Sequence, residues 1–243
     1  MKKWLLKVLV ILVMLGSFST DTVSAANNNA NIITEKDNSK TVSKSSNKSI
    51  IIAEKGTSKA VLKQVKKDYK LLPDYIKDYL KKEGWKIVIS KESLQDRFNY
   101  DFGILALTHY EYKTIYISSC DGDIEHSLIH EAGHVLDYMN NLKYRDSKRF
   151  DKIRKKEGKK LRKFHYTSEK CITTTKEYFA ESFQQYIVNP KALKKNCPQT
   201  YKYMSEVLRN NSKRAKSINK ILQIIRVLHI TNKYQILASY HSR

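Results

Sequence analysis

The chain has 243 residues, 41% of them apolar, with only 7 glycines and 3 prolines, which suits one globular domain with appended segments and excludes collagen-like or wholly disordered classes. Lysine and arginine total 46 against 24 aspartate and glutamate, a formal charge of +22 that favours polyanionic partners such as cell-wall polymer or an anionic membrane surface. No nucleic-acid partner is expected, because no recognition motif accompanies the charge.

Residues 1–25 read as an export signal: Lys2, Lys3 and Lys7 precede an apolar run from Val8 to Leu15, and Val23, Ser24 and Ala25 form a small-residue exit. The run is short for a membrane span, so cleavage after Ala25 and a secreted, extracellular protein are expected. Residues 26–56 are rich in Asn, Ser, Thr and Lys and read as a disordered linker. From Thr57 apolar residues recur at helical spacing, giving two short helices separated at Pro73 and ended at Gly84. Trp85–Ser90, Gly103–Leu107 and Thr114–Ser118 read as strands of a small, mainly antiparallel sheet.

Asp121, Gly122 and Asp123 offer N-cap chemistry for a helix running through Ile124, Leu128, Ile129, Val135 and Met139 to a stop at Asn140-Asn141. A basic helix over about 147–163, a Thr-rich loop and a helix over about 175–188 ended by Asn189-Pro190 follow. The folded domain is placed at 57–210, and 211–243 reads as a basic amphipathic tail without one acidic residue. The predicted class is α+β, a small sheet packed on one central helix with a helical C-terminal lobe. Cys120, Cys171 and Cys197 include no C-x-x-C; a Cys120–Cys171 bridge is one pairing that the sequence leaves open.

The central helix carries His130-Glu131-Ala132-Gly133-His134, an H-E-x-x-H motif. Histidines at i and i+4 lie one turn apart on one face and can share a zinc ion, and Gly133 is expected to give that ion room. A hydrolytic zinc site needs a third protein ligand and an open position for water. A third histidine of the metzincin pattern is ruled out, since Asn stands at 140. Asp137 shares the histidines' helix and suits a capping or salt-bridge role better. Glu177 and Glu181 share one face of the later helix, one to bind and the other to fix a histidine tautomer.

HEAGHVLDY, EGKKL, KEYFAESF and NCPQTYKYM together resemble the zinc-protease domain of anthrax lethal factor and the clostridial Pro-Pro endopeptidases, over about 73–210. The resemblance implies a zincin-like fold with one catalytic Zn2+ held by His130, His134 and Glu177, and Glu181 in support. It makes Glu131 the general base and calls for a tyrosine, shortly before Glu177, to stabilise the oxyanion. The family's usual position for that tyrosine is Lys170 here, so Tyr166 is the candidate, with Tyr178 second. A secreted zinc metalloendopeptidase is implied, acting on an extended peptide or protein substrate, with Pro-containing sites as the natural class and strand Thr114–Ser118 to pair with it. The alternative is a secreted, basic surface-binding or toxin-like module with a structural or degenerate metal site.

Overall fold

The computed structural model describes residues 49–241 except Asp121, Asp123 and 166–168. The export-signal segment and most of the linker therefore lie outside the described residues. The linker expectation is corrected at its end, because Ile51–Ala53 forms a strand, β1, inside 26–56. Three residues are too few to show a period in the sequence, and pairing with a neighbour makes them a strand.

Helices α1 (Lys59–Leu71) and α2 (Asp74–Lys82) follow, separated at Pro73, which lies at the N-cap of α2. Gly84, in the left-handed region at φ 74°, turns the chain into β2 (Lys86–Ser90). A short helix α3 (Leu94–Phe98), capped by the Ser93 side chain on Asp96 N, leads to β3 (Ala106–His109) and β4 (Thr114–Ser118). The sheet order is β1-β2-β4-β3. The chain is α+β as expected, but the expected antiparallel character is corrected: β1–β2 and β2–β4 are parallel, and only the β3–β4 hairpin is antiparallel. The α1–α2 crossover returns β2 in the direction of β1, a long-range connection that strand composition does not reveal. Register places Ile87 opposite Ile115 and Ile89 opposite Ile117, and these four side chains are fully buried.

Helix α4 (Ser127–Tyr138) starts later than expected, with His126 at its N-cap in the left-handed region and His126 Nδ1 3.1 Å from the buried Asp68 carboxylate. It stops where Asn141 and Leu142 both take positive φ. Asp137 accepts Tyr144 N at 2.9 Å and Arg145 Nε at 3.0 Å, so it pins the loop after α4. Helix α5 (Lys148–His165), the short α6 (Lys170–Thr173), α7 (Thr175–Val188), α8 (Pro190–Asn196) and α9 (Pro198–His241) build the helical lobe. Tyr144 stacks on Phe179 at 5.0 Å and Phe150 on Tyr203 at 4.4 Å, joining α5, α7 and α9 in one core. The Glu157 carboxylate of α5 accepts Gln199 N and Thr200 N at 3.1 and 2.9 Å, satisfying amide donors that the start of α9 leaves without helical partners.

The boundary drawn at 210–211 is also corrected. Helix α9 crosses it without a break, and buried Asn211 donates to Tyr144 Oη at 2.9 Å while accepting from Asn140 Nδ2 at 2.9 Å. Neither asparagine has an apolar pattern that marks it as interior. Truncation after Asn210 is therefore expected to lower stability by about 1–3 kcal/mol, since Asn140 and Tyr144 lose a buried partner. Truncation after Ser217 should cost little, and thermal unfolding of the two chains checks the contrast.

Candidate metal centre

Helix α4 lies between the sheet and α7, and nearly all its residues from Leu128 to Asp137 are buried. Its approach to α7 is set by Gly133. A Cβ built on Gly133 would stand 2.8 Å from Ala180 Cα and 3.2 Å from Ala180 O, so the expected space for an ion is instead taken by the backbone of α7. Glycine is needed there for helix contact, not for metal access.

That contact brings the first turns of α7 against the two histidines. Thr174 caps α7 by accepting Glu177 N at 3.1 Å, which orders the turn that carries Glu177. Glu177 Oε2 lies 3.3 Å from His130 Nε2 and 3.4 Å from His134 Nε2. Glu181, one turn on, places Oε2 3.4 Å from His130 Nδ1 and accepts Gln185 Nε2 at 3.3 Å on Oε1. The ligand atoms of His130, Glu131 and His134 all fall within 4.8 Å of one another. The structure thus brings together His130, Glu131, His134, Glu177 and Glu181.

The electrostatics follow from three carboxylates around two imidazoles. Burial opposes charge on His130, yet its bonds to Glu177 and Glu181 and the nearby Glu131 charge raise its pKa well above the ordinary value. Burial would raise Glu177 too, but the bonds to His130 and His134 hold it far below the usual carboxylate range. A pocket with this donor set and excess of negative charge fits a divalent cation held by His130, His134 and Glu177, with Glu181 fixing the His130 ring.

Glu131 has a partner that motif reading missed. Thr108 Oγ1 of β3 lies 2.6 Å from Glu131 Oε2 and 3.1 Å from Glu131 O. Its only sequence signal is a polar side chain on the strand face that turns toward α4. Tyr110 was missed as well: it lines the same cleft, stacks on Tyr138 at 5.0 Å and accepts Arg145 Nη2 at 3.0 Å. Burial pushes its hydroxyl up to about 12, so it keeps its proton. Tyr166 lies outside the described residues. Tyr178 points into the core, its hydroxyl 2.7 Å from Thr200 Oγ1, and does not reach the centre.

The centre opens on a cleft of about 400 Å³ between Tyr100, Phe102 and β3 on one side and Thr173, Thr174 and Lys176 on the other. The strand expected to meet substrate, Thr114–Ser118, is corrected. It is β4, paired on both sides, whereas β3 is the edge strand along the cleft. Cys120, Cys171 and Cys197 are all free thiols, so the Cys120–Cys171 bridge does not form.

The family described as anthrax toxin lethal factor, N- and C-terminal domain, matches residues 33–207, well over half of the chain. The protein belongs to this metalloprotease family. The structure is similar to that of the Pro-Pro endopeptidase PPEP-2 from Paenibacillus alvei, with a TM-score of 0.52 and 16% identity, over 65% of this chain and 97% of that one. The likeness is one of fold, the zincin-like α+β arrangement. No curated protein matches the chain. The lethal factor-family match takes in the sheet, α4 and α7 and ends at Val207, inside α9.

Gly133→Ala is expected to destabilise the protein by about 1–3 kcal/mol through overpacking against Ala180, although alanine by itself favours a helix by about 1 kcal/mol. Because α7 must retreat, divalent-metal affinity should fall in the same variant. Gly158→Ala on α5 is the control, since its Cβ meets Ile172 Cβ at an ordinary 3.6 Å. Calorimetry and a metal titration of both variants check this.

Proposed function

We propose that the protein is an exported zinc metalloendopeptidase that cleaves extended segments of extracellular or surface proteins, with Pro-containing sites as the preferred class. The observation that carries the reading is the shared position of Glu177 Oε2, 3.3 and 3.4 Å from the two imidazole Nε2 atoms. Ligands at about 2.0–2.1 Å around tetrahedral zinc stand roughly 3.3–3.4 Å apart, which is the spacing of Glu177 Oε2 from each of the two imidazole nitrogens. Three donors, of which His134 and Glu177 line an open cleft, suit a catalytic site better than a structural one, which four protein ligands close. That argues against a basic binding module with a structural metal.

Zinc held by His130, His134 and Glu177 would lower the pKa of water and polarise a carbonyl. Glu131 takes the proton from water and returns it to the departing amine. Thr108, at 2.6 Å from Glu131 Oε2, keeps that carboxylate in one orientation. Glu181 accepts the His130 Nδ1–H, so the Nε2 lone pair faces Glu177 and His134. The unpaired edge of β3 beside Glu131 suits an extended peptide, whose main chain adds as a strand while side chains meet Tyr100 and Phe102. On the family resemblance Tyr166 supplies the oxyanion donor. The export assignment rests on the Lys2-to-Ala25 pattern.

Glu131→Gln should lower peptide cleavage by roughly 10²–10⁴-fold with zinc content unchanged. Full turnover in that variant, or chelator-resistant cleavage of proline-rich and random peptides, would overturn the assignment. Thr108→Val should reduce kcat by about tenfold with little change in KM, because it frees the base while leaving the β3 main chain that would pair with substrate unchanged; single-turnover kinetics read that split.

A further inference from the structure

Helix α9 divides at Asn211. Before it Tyr203, Met204, Val207 and Leu208 are buried in the lobe; after it Ile218, Ile221, Leu222, Ile225 and Leu228 stand between 40% and 54% exposed. The lethal factor-family match ends before this stretch, and residues 216–228 are all exposed. At 100° per residue those five side chains fall within an arc of about 120°, and Ile224 widens it on one side. Lys216 and Lys220 lie on the opposite side with Gln223 and the exposed Val227; Asn219 and Arg226 lie outside the arc on its flank, and no acidic residue occurs after Glu206.

We infer that the exposed half of α9 is a membrane-surface element that lies in the interface of an anionic lipid bilayer. An apolar arc of branched residues needs acyl chains, and a helix that is basic without any acid needs negative headgroups; anionic lipid offers both. A wall polymer would meet the charge and leave the arc wet. A second copy of α9 would cover the arc, but it would bring like charges together with no acid to pair them. Its Ile-Ile-Ile-Leu seam (218, 221, 225, 228) also reaches Asn232 and Gln235 within two heptads, fewer than the three to four a coiled coil sustains. Among the described residues no helix is long and apolar enough to cross a membrane, so the helix lies on the surface. The protease site would thereby be held at that surface, and the inference is independent of the metal-centre reading.

The test uses the full chain with a tryptophan placed inside or outside the arc, Ile225→Trp or Asn219→Trp, and phosphatidylglycerol–phosphatidylcholine vesicles carrying brominated acyl chains. Position-resolved quenching is needed because the run from Val8 to Leu15 can itself enter lipid. The signal of the unsubstituted chain is subtracted for Trp4 and Trp85. The probe at 225 is expected to shift to shorter wavelength and be quenched, and the probe at 219 is not. Adding Lys216→Gln, Lys220→Gln and Arg226→Gln should weaken the quenching at 225 by about tenfold or more in vesicle concentration. Equal quenching at both positions, none at 225, or no response to the charge substitutions would overturn the inference. So would a dimer in sedimentation velocity that Ile221→Ser with Ile225→Ser dissolves, or unchanged polyphosphate binding by that double variant with no quenching at 225.

Discussion

Everything at the centre depends on how closely two helices approach. Gly133 on α4 lies against the backbone of Ala180 on α7, with no room for a side chain between them. At that separation a glutamate in the first turn of α7 spans to both histidines, and a second glutamate one turn later meets the far ring nitrogen of one of them. Moving α7 outward by the width of a methyl group would break all three contacts together, because the two carboxylates ride on one rigid helix. The aromatic packing of Tyr144, Phe150, Phe179 and Tyr203 behind α7 supports the helix from the other side.

The second constraint is electrostatic. Burying Glu131 and Glu181, with Glu177 partly buried, around two imidazoles is costly unless positive charge joins them. The carboxylates favour a proton on His130, whose pKa they raise against its burial, while the two imidazoles hold that of Glu177 low. A divalent ion meets the same demand with more charge, and binding it requires that proton to leave. Thr108 ties one carboxylate, Glu131, to the edge strand instead of to the histidines. The carboxylates are thereby divided into two that face the imidazoles and one held by the sheet.

Substrate approach and surface charge belong to different parts of the molecule. The cleft is walled by Tyr100, Phe102 and the β3 edge, while much of the excess lysine and arginine lies on exposed helix faces of α1, α5 and α9. The helical lobe thus has two functions: its buried faces position α7, and its exposed ones present charge and, on α9, an apolar arc.

The local patterns were enough for most elements: the limits of α7 at Thr175 and Val188, the break at Pro73, and the H-E-x-x-H helix follow from caps, prolines and spacing within a few residues. Helical spacing named Glu177 and Glu181 as candidates, and family resemblance chose Glu177 as the ligand, since nothing local tells a ligand glutamate from a supporting one. Strand direction, the edge position of β3, Thr108 beneath Glu131, and the Asn140–Asn211 bond depended on tertiary structure. Each joins residues 23 to 71 positions apart or rests on a crossover that neither partner's neighbourhood encodes. Gly133 shows the division most clearly. The chain by itself determined that a glycine stands between the two histidines, and only packing against Ala180 decided why, because the space a residue needs is set by what folds against it.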